Sequence, residues 1–361
     1  MESSTVVWAG TKEGYDPSDR WSAAPVLRGK DSMSPVPYRL GFAVKVLGAP
    51  EPIKEADRRR WQSGPHLRHS IEMLHRVWDH LERIDVRMYR MSSNVIPYGS
   101  HPDLPELDYR RQIAECTEAL DALGDRARGL RLRLSMHPGQ YTVINAPDEG
   151  IRDRSLAEIE ANAAMLDALG CGPDATVVVH VGGLYGDRLA SIEHWARAWE
   201  RLSDRARARL GLENDERLFD IADVLELHHR TGVRVVYDHH HARIKPAAGM
   251  PPDEALAAAM ATWPPGQRPK VHLSSPRLSV EVVRRPVPGT RRSRGVAVPP
   301  SLGPHADLVG PWDFLDLVRL APAAVDVMLE AKAKDVALLW LRRQLAVVAP
   351  DVAAAEERSG A

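Results

Sequence analysis

Short runs of β-branched and apolar residues alternate along the chain with longer stretches whose apolar positions recur at helical spacing. Eight runs read as strands: 39–46, 86–91, 130–137, 176–181, 210–213, 233–238, 270–273 and 325–330. Between them, segments such as 155–169 and 188–203 place an apolar residue every three or four positions, which predicts helices that cover a sheet on one face. Strands joined through helices pair in parallel, and eight such units over this span predict an α/β fold of the TIM (β/α)8 barrel type. A doubly wound open sheet is the main alternative. It ordinarily opens on a glycine-rich phosphate turn, and neither a GxGxxG pattern nor a P-loop occurs.

The same pattern sets the boundaries. Residues 1–37 mix Gly, Ser, Pro and charge without a sustained period and read as a loosely ordered, flexible arm; 38–345 form the barrel, and 346–361 an Ala-rich tail. One connection departs from the rule of short loops. Segment 274–303, before the last strand, carries Arg277, Arg284, Arg285, Arg291, Arg292 and Arg294 among prolines and glycines. A long basic connection of this kind is either a solvated, mobile insertion or a nucleic-acid contact.

Composition adds exclusions. The 361 residues are 44% hydrophobic and 27% charged, with 48 Lys+Arg against 49 Asp+Glu and a net charge of −1, which excludes a polycation that grips nucleic acid by bulk charge. No run reaches the roughly 18 to 20 apolar residues of a membrane helix, and the N-terminus lacks a signal-peptide core. A cytoplasmic protein is expected. Cys116 and Cys171 lie in no metal spacing and read as small buried apolar groups.

Fifteen histidines are another matter. A barrel enzyme places its chemistry at the C-terminal ends of its strands. Here the third strand ends in His137, the fourth in His180, the fifth in Glu213, the sixth in Asp238 with His241 just beyond, the seventh in His272 and the eighth in Glu330. His305 precedes the last unit and His101 follows the second strand. One such residue is unremarkable, but six consecutive strands ending in imidazole or carboxylate need a cation among them. Without thiolate, these donors suit Mn²⁺, Zn²⁺ or Fe²⁺ and suit Ca²⁺ poorly, and eight of them imply two or three metals. Such clusters serve phosphodiester hydrolysis, with sugar isomerisation as the contending chemistry.

Several segments carry a resemblance. Leu134-Ser-Met-His-Pro-Gly-Gln-Tyr141, His180-Val-Gly-Gly-Leu-Tyr-Gly-Asp187, Leu212-Glu-Asn-Asp215, Asp238-His-His-His241, Lys270-Val-His-Leu-Ser274, Pro304-His-Ala-Asp307 and Asp326-Val-Met-Leu-Glu-Ala-Lys332 resemble the UV damage endonuclease family, as does Arg90-Met-Ser-Ser93 followed by Ser100-His101. The similarity runs in order from Arg39 to about Arg343. It implies an endonuclease IV-like barrel that cuts damaged double-stranded DNA immediately 5′ to a UV photoproduct, with other lesions as further substrates, leaving a 3′-hydroxyl and a 5′-phosphate. The expected cofactor is a divalent metal cluster, typically manganese. No nucleotide cofactor, membrane or second subunit is expected. The rivals are an abasic-site endonuclease, a metal-dependent sugar isomerase and a damaged-DNA-binding barrel without turnover; a binder has no need of all eight ligands.

Residue by residue, the resemblance implies one metal on His137, His180 and Glu213. A second would rest on Glu213 as a bridge with Asp238, His272 and Glu330, and a third on His241 and His305. His101 matches a histidine that binds metal or phosphate beside the cluster. Lys270 matches a lysine that can be carboxylated; left unmodified, it could hold the phosphate. Gln140 and Tyr141 match the pair that probes the lesion, an amide for the orphaned base and an aromatic face for lost stacking. Phe42 is a third candidate there, an aromatic surface without a hydroxyl where the family pattern continues into a polar stretch.

Overall fold

The computed structural model describes residues 35–139 and 141–358. The expected N-terminal arm therefore falls almost wholly outside the described residues. Eight parallel strands close a barrel in which β1 (Tyr38–Ala43), β2 (Met88–Ser92), β3 (Arg133–His137), β4 (Thr176–His180), β5 (Leu210–Glu213), β6 (Arg234–Asp238) and β7 (Lys270–Leu273) follow one another around the ring. An antiparallel pair, β8 (Glu281–Pro286) and β9 (Ser293–Val298), stands apart from it, and β10 (Val325–Leu329) closes the ring between β7 and β1. Each strand expected from the sequence is present, β5 and β7 at their expected limits and the others shifted or shortened at one or both ends.

Alternation along the strands sorts their side chains between two environments. The outward residues meet the helical layer: Trp78 of the helix Leu67–Arg83 packs edge-on against Tyr89 at 5.8 Å, and Tyr89 against Phe42 at 5.4 Å. The inward residues are far more polar than a barrel usually holds. Near the N-terminal ends, Asp326 is fully buried and accepts Arg133 Nη1 and Arg39 Nη2, both at 2.6 Å, while the guanidinium groups of Arg133 and Arg234 lie over the Trp263 ring at 5.2 and 5.0 Å. Above this floor come Met88 and Met328 with Ala43, and Val178 and Val236 with Trp263. Gly41 is required at this level, because a Cβ there would stand 2.7 Å from the Met88 carbonyl oxygen and push β1 off β2.

Segment 274–303 is not the structureless loop its length implied. β8 and β9 pair over six residues each, with Arg285 directly opposite Arg294. The valines around 282–283 and 296–298 favour strand, and Pro288-Gly289, with Gly289 at φ 73°, meets the demand of a type II turn. No helix among the described residues is long and apolar enough to cross a membrane.

Candidate metal centre

The last inward position of each strand from β3 to β6 is a ligand-type residue, so four donors reach the barrel mouth by strand periodicity alone. β7 adds His272 one residue before its end, and Glu330 follows β10 directly. Glu213 is the hub. One carboxylate oxygen lies 2.9 Å from His272 Nδ1 and 3.9 Å from His241 Nδ1; the other lies 3.2 Å from His137 Nε2 and 3.8 Å from His180 Nε2. Glu330 stands 3.3 Å from His272 Nδ1 and 3.7 Å from His305 Nδ1.

Two donor groups are tight enough to hold an ion, His137, Glu213, His272 and Glu330 in one, and Glu213, Asp238 and His241 in the other. Glu213 belongs to both, which is the geometry of a bridging carboxylate. His180 and His305 sit at the rim: the His180 ring is 5.3 Å from His137, and the His305 ring is 5.8 Å from His241. All eight expected ligands are thus contiguous, although His137 groups with His272 and Glu330 rather than with His180.

Hydrogen bonds aim the rings. His241 Nδ1 faces the Asn214 carbonyl at 3.0 Å, His305 Nδ1 the Glu330 carbonyl at 3.0 Å and His137 Nδ1 the Pro138 carbonyl at 2.9 Å, which places the proton on Nδ1 and the lone pair on Nε2. Asn214 also clamps the backbone of Asp238, donating to its carbonyl at 3.0 Å and accepting its N–H at 2.9 Å. The Asp238 carboxylate caps the short helix that carries His241, accepting that residue's N–H at 2.8 Å.

The donor set fits metal ions. Glu213 Oε2, Asp238 Oδ2, His180 Nδ1 and His272 Nε2 are buried without a hydrogen-bond partner. Leaving four such atoms unpaired is costly unless a cation takes them up. Charge points the same way. Burial, with Glu330 and Asp238 facing it, pushes the Glu213 carboxyl well above the usual range. Burial likewise pulls His137, His180 and His272 down, so these rings are held neutral, the form that binds metal. For Glu330, burial acts upward but the Arg90 guanidinium paired with it, then His272 and His137, hold it well below. Burial also opposes protonation of His241, yet the carboxylates of Asp238 and Glu330 keep it above the ordinary histidine value.

Lys270 lies two residues before His272 on the same face of β7, fully buried, and its amine donates to Ser135 Oγ at 3.0 Å. Burial, with Arg90 and Arg133 nearby, drives that amine well below the usual lysine range.

The other expected site residues separate. Tyr141 is 84% exposed, on the rim of an open groove of about 1070 Å³ that Arg58, Arg59, Ser100, His101 and Arg154 also line. His101 belongs to this groove and not to the cluster; its Nδ1 accepts the Asp103 N–H at 3.3 Å. Gln140 lies outside the described residues. Phe42 does not fit the role expected of it: it is wholly buried among helix-facing side chains, because its neighbours Gly41 and Ala43 take the inward positions. A second groove, of about 890 Å³, flanks the cluster on the His305 side and is lined by Arg90, Arg217, Lys332 and Lys334. Arg90 and Asn214 had no role assigned from the sequence. Arg90 could have been found from strand alternation, since it lies two residues past the inward Met88; Asn214 offered no signal beyond its place next to Glu213.

A family model described as UV-endonuclease UvdE matches residues 56–355. The chain is 29% identical over 290 residues to the UV DNA damage endonuclease of Bacillus velezensis, covering 78% of this chain and 81% of that one. The Bacillus cereus UV DNA damage endonuclease is 28% identical over 284 residues, with the same coverage. Among solved structures, that of SacUVDE superposes with a TM-score of 0.69 at 25% identity, over 85% of this chain and 98% of that one. Endonuclease IV from Thermus thermophilus shares the fold, with a TM-score of 0.50 at 18% identity over 85% and 98%.

Proposed function

Because the chain belongs to the UV-endonuclease UvdE family and is a DNA repair endonuclease, we propose that it hydrolyses the phosphodiester immediately 5′ to a UV photoproduct. The products are a 3′-hydroxyl and a 5′-phosphate. One observation carries this reading: eight imidazole and carboxylate side chains converge at the barrel mouth and leave four buried polar atoms unpaired. His137, His180, Glu213, Asp238, His241, His272, His305 and Glu330 would hold two or three divalent ions, Mn²⁺ before Zn²⁺ or Fe²⁺. Bound there, the ions supply a nucleophile from water near neutral pH and stabilise the attacking and leaving oxygens of an in-line displacement.

The chain's own residues do the rest. Glu213 joins the two donor groups and fixes their separation. Arg90 holds Glu330 ionised and in place before any metal arrives. Burial drives the Lys270 amine toward its neutral form beneath the cluster, and a neutral amine is the form that can be carboxylated. His101, with Arg154, lines the groove where the damaged strand would lie, and Tyr141 offers it an exposed ring. An unstacked photoproduct leaves room for that ring, whereas an intact stack does not.

The test is an end-labelled duplex with one photoproduct, one abasic site or no lesion, incubated with Mn²⁺ or with chelator. Incision beside the photoproduct that chelator abolishes is the expected result. Equal cutting of all three duplexes, or activity that survives chelation, overturns the proposal, and a preference for the abasic site reassigns the lesion.

A further inference from the structure

The β8–β9 hairpin takes no part in the metal centre, yet it grows directly from it. Pro276 pairs with His305 in an antiparallel bridge, Arg277 N donates to the Pro304 carbonyl at 2.8 Å, and Ala306 N donates to the Ser275 carbonyl at 2.8 Å. The ribbon's base is therefore hydrogen-bonded to the strand of chain that carries a ligand. From that base, six residues per strand rise about 20 Å.

Its charge is concentrated at the far end. Arg277, at the base, is neutralised by Glu281. Arg284, Arg285, Arg291, Arg292 and Arg294 crowd the tip, where all five are exposed and no carboxylate pairs with any of them among the described residues. Arg285 and Arg294 are direct cross-strand partners. Like charges in that position destabilise a two-stranded ribbon, so the tip works against its own fold unless an anion lies across it. The turn meanwhile is set: Pro288 and Gly289 fix its shape, and Val287 N donates to the Arg292 carbonyl at 2.9 Å. A preformed cationic ribbon loses little freedom on binding.

We propose that this hairpin is an arm that grips the phosphate backbone of duplex DNA several base pairs from the scissile bond. The inference deepens the endonuclease reading and concerns the extent of the DNA footprint, not the chemistry. An arm of this length reaches phosphates about six base pairs from the metal centre, at 3.4 Å per step. Exposed Leu278, Val280 and Val282 form an alternating apolar edge that offers the competing occupant, a protein surface. Charge favours DNA, since five unpaired arginines would have to be desolvated against a protein, whereas phosphates match them one for one.

The full-length protein is tested for equilibrium binding to an undamaged duplex, in chelator, across a salt series. A variant with all five tip arginines changed to Gln should lower the slope of log K against log salt by about 4 to 5, at roughly 0.9 per phosphate contact. A variant with the same five changed to Lys should keep the wild-type slope. A slope that stays within about one of wild type in the Gln variant overturns the proposal and assigns the arm to a protein partner. Equal loss in the Lys variant overturns it too, because it shows that charge is not what binds. Incision of photoproduct duplex by the wild-type protein should proceed in Mn²⁺ and stop in chelator. That readout tests the endonuclease reading separately, since the binding series contains neither lesion nor metal.

Discussion

Replacing Glu213 with Gln separates two consequences of burying a carboxylate among carboxylates. The substitution keeps the volume and removes the charge. In the metal-free protein, burial and the facing Glu330 and Asp238 raise the Glu213 pKa well above its ordinary value. An acid whose folded pKa is raised destabilises the fold at every pH above its unfolded pKa, by about 1.4 kcal/mol for each unit between that value and the folded one. At pH 8, far above the unfolded value, the wild-type protein bears a penalty of this kind. The E213Q protein does not, so in chelator it should melt above wild type at pH 8, and the difference should shrink toward pH 5, where folded and unfolded states both hold the proton more nearly equally. Metal reverses the order. An ion at about 100 times its Kd stabilises a fold by about 2.7 kcal/mol, or about 4 °C in a chain of this size. Wild type should gain that shift with Mn²⁺ and E213Q should lose most of it, because Glu213 belongs to both donor groups. Thermal melting at two pH values, with and without Mn²⁺, reads both effects. An undiminished Mn²⁺ shift in E213Q refutes the bridging role; a lower melting point than wild type in chelator at pH 8 refutes the burial argument.

Three further outcomes follow from the same geometry. Tyr141→Ala should cut the preference for damaged over intact duplex by about 5- to 150-fold, the worth of one base–aromatic stack, and leave the melting point unchanged because the ring is 84% exposed; competition binding measures it. Metal binding at pH 7 should release at most about two protons, since only Glu213 and His241 have raised pKa values, and none from His137, His180 or His272, whose pKa values are lowered; calorimetry in buffers of different ionisation enthalpy counts them, and four or more would contradict the assignment. Asp326→Asn should cost about 3 to 5 kcal/mol in urea unfolding, because it strips the buried partner from Arg133 and Arg39, while Mn²⁺ affinity is retained; a loss below about 1 kcal/mol would show that the guanidinium groups find other partners.

The barrel was legible because a buried parallel strand writes itself as an unbroken apolar run, and β5 and β7 coincide with their expected limits. The ligands were legible because one polar residue at the end of such a run has little else to do. Orientation was the weaker part. Phe42 passed for a base-probing ring on its chemistry, although alternation from Gly41 and Ala43 sends it outward into the helical layer. Arg90 was hidden in a motif whose function was read from its neighbours. The hairpin was obscured because arginine and proline interrupt its alternation; only the Pro288-Gly289 pair marks the turn, and pairing partners at that separation leave no periodic trace. Asn214 acts through backbone groups of Asp238 and His241, contacts that no spacing in sequence encodes.

The stacked interior of the barrel has a consequence for redesign. Arg133, Arg234 and Asp326 lie at one end, the carboxylates and imidazoles at the other, and between them Met88, Val178, Val236 and Met328 form an apolar layer that the buried Lys270 and its partner Ser135 interrupt. Fold and chemistry thereby sit at opposite ends of one barrel, with Lys270 as the titratable residue they share. A laboratory that exchanges donors at the mouth to change metal preference can leave the salt-bridged plug untouched, provided Lys270 and Ser135 are kept.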